Sequence, residues 1–337
     1  MNKYSIREKP VLDSLRHVVL LGAGASRATC PNGDFMYEKK LPVMNELPDI
    51  LGEQWKKLLL KSEVPYGNFE FQYSWIKSKG CFKREIERID FKLKQYFRHM
   101  ELPDQPTIYD YLLLGLREKD VVATFNWDPL LLKAYERNRE VCKLPNIRFL
   151  HGCVSYFTCK EHDIIGSWNM VCPICKKELI QSPIIYPEEN KDYTNNWIIK
   201  REWDLVKKAL GFAFHLTVFG YSAPKTDYNA RKLLLDSWWD QEPRDASHIE
   251  IIDIASPDNL SENWKEFIPY DHIIHEDDFF DSSVAKWPRH TFEWKQRASV
   301  FGVSSEDSGV FKTDSLNELQ DWFHELEISE NEIKKRG

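Results

Sequence analysis

The sequence predicts an α/β protein with a Rossmann-like parallel sheet, doubly wound, carrying a smaller helical and cysteine-bearing insertion. Apolar runs alternate with segments of helical period along the chain, as in a parallel sheet joined by crossover helices. The first run, His17-Val-Val-Leu-Leu21, feeds Gly22-Ala-Gly-Ala-Ser26, small residues that let backbone N–H groups approach a phosphate at a helix start. Two later runs end in reactive groups: Val121-Val-Ala-Thr-Phe-Asn-Trp-Asp128 delivers Asn126 and Asp128, and Leu150-His151-Gly152 delivers an imidazole. Ligands of open α/β sheets bind outside the carboxyl ends of the strands. The three strand ends therefore predict one crevice, a nucleotide site equipped for reaction as well as binding.

Taken in order, a strand at about 17–21 is followed by the glycine turn, and residues 31–118 read as a long, mostly helical insertion. Its helical candidates include Gln54-Trp-Lys-Lys-Leu-Leu-Leu60 and the charged stretch 83–99, where Ile86, Ile89, Leu93 and Phe97 recur every three or four positions. That stretch reads as a solvated helix face. Strands follow at about 120–125 and 146–150, then a cysteine cluster within 151–182 and a short strand candidate, Ile184-Ile-Tyr186. A helix at roughly 197–210 leads to the apolar run 212–219, which ends in Gly220-Tyr-Ser222. A helix at about 228–239 precedes strands at 249–254 and 272–274. Beyond 276 the pattern weakens, although Trp287, Phe292 and Trp294 imply packing. Residues 315–334 read as an amphipathic helix with Leu316, Leu319, Trp322, Phe323 and Leu326 on one side.

The 337 residues, 42% of them apolar, suffice for a substantial core, and a net charge of −7 argues against a nucleic-acid binder working by bulk electrostatics. No apolar run approaches the ~18 residues needed to cross a bilayer. The first ten residues lack the apolar core of a signal peptide. The expectation is a cytoplasmic protein without direct membrane contact. In a reducing compartment, the crowding of Cys153, Cys159, Cys172 and Cys175 reads as metal binding before disulfides. Cys172-Pro-Ile-Cys175 is one knuckle; Cys159 with His162, or Cys153 with Cys159, supplies the other. Either set fills a tetrahedral Zn2+ site and leaves no open position, so the metal would be structural. Unmetallated buried cysteines are the plainer alternative.

The glycine turn is half of a dinucleotide fingerprint, since its third glycine is missing. An acidic residue about 20 positions on, which would hold a ribose, is also missing, because Tyr37-Glu-Lys-Lys-Leu-Pro42 reads as loop. Hydride transfer is thereby disfavoured, and Asn126 becomes the candidate to hold the ribose. A structural alternative also stands: Asn126 and Asp128 can cap a helix starting near Pro129, and a histidine before glycine is commonly a turn residue.

The order of the glycine turn, Thr124-Phe-Asn-Trp-Asp128, His151-Gly152, the cysteine module, Gly220-Tyr-Ser222 and a late strand ending near Asp253 resembles the sirtuin family. The resemblance spans roughly residues 11–275 and leaves 276–337 as a C-terminal extension. It implies an NAD-binding domain in which 31–118 and 151–182 form the smaller helical and zinc parts. By that resemblance Gly22, Ala23, Gly24 and Ser26 would lie against the diphosphate. Asn126 would contact the ribose beside nicotinamide, Asp128 would bind the carboxamide, and His151 would be the catalytic imidazole. Gly220, Ser222 and Asp253 would line the adenosine half. Cys159, His162, Cys172 and Cys175 are the metal candidates.

Two departures separate this chain from protein-deacetylating members. They carry Gln where Phe125 stands here, and a Gly-Ile-Pro-x-Phe-Arg segment where this chain reads Arg27-Ala-Thr-Cys-Pro-Asn-Gly-Asp34. Gly-Ala-Gly-Ala-Ser, Leu41-Pro-Val-Met44, Thr-Phe-Asn-Trp-Asp and Gly220-Tyr-Ser-Ala-Pro-Lys-Thr-Asp227 look more like the bacterial sirtuin-like NADases of anti-phage defence. The expected activity is hydrolysis of NAD+ at the nicotinamide–ribose bond, gated by a homo-oligomer or a protein partner. An NAD-dependent protein deacylase and a non-catalytic NAD or ADP-ribose sensor are the alternatives.

Overall fold

The computed structural model describes residues 16–35, 38–162, 164–166, 168–188, 191–223, 227–239, 248–267, 273–291 and 309–336. Its centre is a six-stranded sheet made of β1 (Arg16–Leu21), β2 (Val121–Thr124), β3 (Asn146–Phe149), β7 (Ala213–Phe219), β8 (His248–Ile252) and β9 (Ile273–Glu276). The spatial order is β3-β2-β1-β7-β8-β9, and every pairing is parallel. The chain moves outward from β1 in one direction, then returns to β1 and moves outward in the other. In such sheets ligands bind at that reversal, outside the carboxyl ends of the strands.

The strands are apolar on both faces because helices cover both. Val19 and Leu21 of β1 enter one core, with Val122, Ile147 and Phe149. Val18 and Leu20 point the other way, into a second core with Ala123, Leu216, Val218 and Ile251. This is the side-chain alternation of a strand buried on both faces. On the second face α8 (Trp197–Gly211), α9 (Tyr228–Trp239) and α10 (Pro257–Trp264) contribute Trp203, Trp238 and Trp264. On the first face lie α1 (Ala23–Thr29), α6 (Ile108–Leu114) and α7 (Leu130–Asn138).

The helical insertion continues that first core. It contains α2 (Leu47–Leu51), α3 (Glu53–Ser62), α4 (Phe69–Ser78) and α5 (Lys83–Arg98). The buried residues of α5 are Ile86, Ile89, Leu93 and Phe97, the stripe expected from the sequence. Beyond β9, α11 (Ser283–Lys286) is followed by α12 (Leu316–Arg336), whose Leu319 and Phe323 are fully buried in the first core. Gln320 of α12 donates to the Arg137 carbonyl and to Asn138 Oδ1, both at 3.0 Å, so the C-terminal helix is docked on α7. No described helix is long and apolar enough to cross a membrane.

Three short strands, β4 (Phe157–Thr158), β5 (Ile165–Gly166) and β6 (Ile180–Gln181), form a separate antiparallel sheet in the order β5-β4-β6. The strand expected at Ile184–Tyr186 does not form. Pro183 and Pro187 flank it and remove the ladder donors a strand needs there. The segment instead runs alongside His151, whose carbonyl accepts the Ile185 N–H at 2.9 Å. Residues 11–15, His272, Phe292 and Trp294, named in the sequence reading, lie outside the described residues.

Candidate active site

The glycine turn packs directly on the end of β7. The Gly22 N–H donates to the Phe219 carbonyl at 2.9 Å and the Gly24 N–H to the Gly220 carbonyl at 3.0 Å. A Cβ on Gly22 would lie 2.3 Å from the Gly220 oxygen, and one on Gly24 2.7 Å from the Gly220 Cα. Gly220 itself has φ +62°, and a Cβ there would meet the Ala25 nitrogen at 2.3 Å. All three glycines are thus required for the two strand ends to touch, whatever they bind.

At the end of β2 the chain turns back toward that loop. Asn126 donates from Nδ2 to the Gly22 carbonyl at 2.8 Å, to Ser26 Oγ at 2.9 Å and to the Tyr109 hydroxyl at 3.3 Å. Ser26 Oγ donates to Asp128 Oδ2 at 2.8 Å and also bonds the Tyr109 hydroxyl at 2.7 Å. The other Asp128 oxygen accepts the Leu130 N–H at 3.1 Å at the start of α7. Asp128 thus precedes Pro129, the N-cap, and bonds the first N–H of that helix while its other oxygen faces the glycine turn. Burial raises the Asp128 carboxyl above its ordinary range, opposed by the bonds from Ser26 and Leu130.

His151 follows β3 and belongs to a second group. Its Nε2 lies 2.9 Å from the Tyr193 hydroxyl, and Tyr193 donates onward to Asp227 Oδ1 at 3.3 Å. Asp227 also accepts from Lys191 Nζ at 3.2 Å and from the Tyr221 hydroxyl at 2.8 Å. Lys191 in turn donates to Glu70 of α4 at 2.5 Å. Burial lowers the His151 pKa to about 4, with Asp227 opposing the shift and Lys191 adding to it, so the ring is neutral at pH 7.

Phe125, the chain neighbour of Asn126, packs its ring into the second group. Its ring lies 4.9 Å from that of His151, edge to face, and stacks on Tyr221 at 4.2 Å. Among the described residues no hydrogen bond joins the Asn126 side chain to that of His151. The expected residues are thus at adjacent strand ends, in two separate polar clusters.

The remaining expected residues sit at the rim. Ala23 and Gly24 are half-buried, and Ser222 is exposed, its carbonyl accepting from Asn263 at 2.9 Å. Asp253 lies one residue past β8. Its N–H donates to the Glu276 carbonyl at 3.0 Å, and its carboxylate accepts the Ala255 N–H at 2.9 Å, closing a turn. Tyr109, Tyr193, Lys191 and Glu70 were not singled out from the sequence; Asp227 closed a motif that was quoted without a role for it.

The cysteine module brings Cys159, His162, Cys172 and Cys175 together, with all four donor atoms within 4.8 Å of one another. Cys159 Sγ is 3.5 Å from both His162 Nδ1 and Cys175 Sγ, and Cys172 Sγ is 3.5 Å from His162 Nδ1. Tetrahedral zinc, with Zn–S about 2.3 Å and Zn–N about 2.0–2.1 Å, separates its ligand atoms by about 3.5–3.8 Å. The donor set is compatible with that ion. His162, not Cys153, completes it; Cys153 Sγ donates instead to the Asp128 carbonyl at 3.3 Å.

No protein-family model matches the chain, and no curated protein matches it. Among solved structures it is similar to a Sir2 bound to acetylated peptide, at 13% identity over 85% of this chain and 93% of that one, with a TM-score of 0.36. It is also similar to a Sir2 homolog–NAD complex, at 13% identity over 85% and 92% of the two chains, with a TM-score of 0.37. A structure described under the structural basis for sirtuin substrate affinity gives 16%, 85%, 93% and 0.38 for the same measures. With TM-scores this low, the functional reading rests on the residues of this chain.

Proposed function

We propose that this chain hydrolyses NAD+ at the nicotinamide–ribose bond, as a sirtuin-like NAD+ glycohydrolase of anti-phage defence held in check by an oligomer or protein partner. One observation carries the reading: the glycine turn, the Asn126–Asp128 pair and His151 occupy the ends of three adjacent parallel strands beside the reversal of the sheet. Cleavage leaves oxocarbenium-like charge on the sugar and a neutral nicotinamide. The protein need only fix the ring, steady the sugar and supply an activated water.

Asp128 would accept the carboxamide N–H and hold the leaving group. Asn126, which both donates and accepts, would exchange its bonds to Ser26 and Tyr109 for a ribose hydroxyl or the water. Neutral His151 would take the proton, a role worth roughly 10²–10⁴-fold in rate. Ala23, Gly24 and Ser26 would face the diphosphate, with Gly22 and Gly220 closing the turn; Ser222 and Asp253 would lie toward the adenosine. Cys159, His162, Cys172 and Cys175 would hold Zn2+, which would fold the module and take no part in the reaction. The defence role is supported by the motifs around Gly22, Asn126 and Gly220 alone.

The test is nicotinamide release by the purified chain, with and without an acetylated peptide. Equal release in both supports the hydrolase. Release only with peptide, accompanied by loss of the acetyl group, replaces it with the deacylase. NAD+ binding without turnover in either, persisting after dilution has dissociated any oligomer, replaces it with a sensor.

A further inference from the structure

We propose that Tyr193 and Asp227 are the positioning residues of His151: they hold its Nε2 protonated and leave Nδ1 as the basic nitrogen that faces substrate. This rests on the reading of His151 as the base. A neutral imidazole donates from one nitrogen and accepts at the other, and its hydrogen bonds decide which. Among the described residues the His151 ring has one hydrogen-bond partner, the Tyr193 hydroxyl, 2.9 Å from Nε2. A phenol carries a single proton, so its direction fixes the tautomer.

Asp227 settles that direction. Burial would raise its carboxyl, but His151, Lys191 and Tyr221 together hold it below the ordinary carboxylate range. At neutral pH, where His151 is uncharged, the ammonium of Lys191 at 3.2 Å and the Tyr221 hydroxyl at 2.8 Å keep it ionised. An ionised carboxylate only accepts. The Tyr193 proton therefore points to Asp227, and the phenol oxygen must accept from Nε2–H. Burial and Asp227 also raise the Tyr193 pKa well beyond the ordinary phenol range, so it remains protonated.

The rings of His151 and Tyr193 lie parallel, 6° apart, with centroids 5.7 Å from each other, and Phe125 closes the edge. The Tyr193 and Phe125 rings therefore both pack beside the imidazole. Nδ1 has no hydrogen-bond partner among the described residues. When Nδ1 takes a proton, the positive charge on the ring is met through Tyr193 by the Asp227 carboxylate. Among the described residues, the titratable groups linked to this end of the ring by hydrogen bonds are Tyr193, Asp227, Tyr221, Lys191 and Glu70. Glu70, on α4, balances Lys191, so the helical insertion contributes to the base.

The test combines a tautomer measurement with kinetics on the full chain. Histidine labelled with 15N in the ring reports which nitrogen carries the proton, and His151→Ala identifies the signal. The expected result is Nε2–H in the native protein and a mixture of tautomers in Tyr193→Phe. On NAD+, Tyr193→Phe and Asp227→Asn should lose about 10- to 100-fold in kcat with KM nearly unchanged, a fraction of what a general base supplies. Nδ1–H in the native protein, or an unchanged tautomer in Tyr193→Phe, overturns the proposal. The NMR result stands even where NAD+ is not turned over, which separates failure of this inference from failure of the hydrolase reading. Tyr193→Phe removes one hydroxyl and keeps the ring, so it carries the test if Asp227→Asn does not fold.

Discussion

Ser26→Ala removes the atom on which one half of the site converges. Its Oγ meets the Tyr109 hydroxyl at 2.7 Å, Asp128 Oδ2 at 2.8 Å and Asn126 Nδ2 at 2.9 Å. Asn126 keeps the Gly22 carbonyl and Asp128 keeps the Leu130 N–H, so the largest loss falls on the stranded Asp128 oxygen. Leaving a buried acceptor unpaired costs about 1–3 kcal/mol. At about 2.1 cal/mol/K of unfolding entropy per residue, the 337-residue chain converts this to a fall in Tm of about 1.5–4 °C.

The pH dependence of that fall is the sharper part. Burial raises the Asp128 carboxyl in the folded protein, so the folded state binds more protons than the unfolded state and stability declines as pH rises through the shifted pKa. Losing the Ser26 bond raises that pKa further. The gap in Tm between Ser26→Ala and the native protein should therefore widen as pH rises through the raised folded pKa and narrow toward the unfolded Asp pKa of 3.8. Differential scanning fluorimetry across that range measures it. A gap that is constant with pH, or one that widens on acidification, refutes the assignment of Ser26 as the partner of an ionised Asp128.

Three further outcomes follow from the packing. Gly220→Ala places a Cβ 2.3 Å from the Ala25 nitrogen at φ +62° and should cost about 1–3 kcal/mol with loss of NAD+ binding, measured by urea unfolding and calorimetric titration. Metal analysis should find one equivalent of zinc, lost in Cys172→Ser and retained in Cys153→Ser, because only the former touches the four-donor set. Burial alone would raise the Glu250 carboxyl, but the His215 ring 3.7 Å away and the hydrogen bonds from Ser283 outweigh it and hold the pKa at about 2. Its stabilisation should thus be complete above the unfolded value of 4.5 and lost as pH falls toward 2; Glu250→Gln should flatten that part of a pH–stability curve.

The sheet was legible because a strand buried on both faces must be a short apolar run, and β1, β2, β7 and β8 are such runs. Ile184–Tyr186 has the same apolar content, but its flanking prolines carry it past the sheet as an extended connection. The α5 stripe was legible because Ile86, Ile89, Leu93 and Phe97 repeat with helical period. Strand-end chemistry picked out Asn126, Asp128 and His151 as candidates without any knowledge of their partners. Those partners were hidden by distance: Tyr109 is 83 residues from Ser26, and Tyr193 is 42 from His151. Nothing local marks a tyrosine as the ligand of a distant side chain. Spacing favoured His162 as the fourth metal donor but kept the more widely spaced Cys153 as an alternative, which the fold turns toward the Asp128 carbonyl instead.

The most direct measurement is NAD+ consumption by the purified chain beside His151→Ala and Asn126→Ala, without any acylated substrate. The hydrolase reading predicts release of nicotinamide and ADP-ribose by the native protein, abolished in both variants while each remains folded. Undiminished turnover in either variant contradicts it, because the three strand ends would then not be the site of reaction.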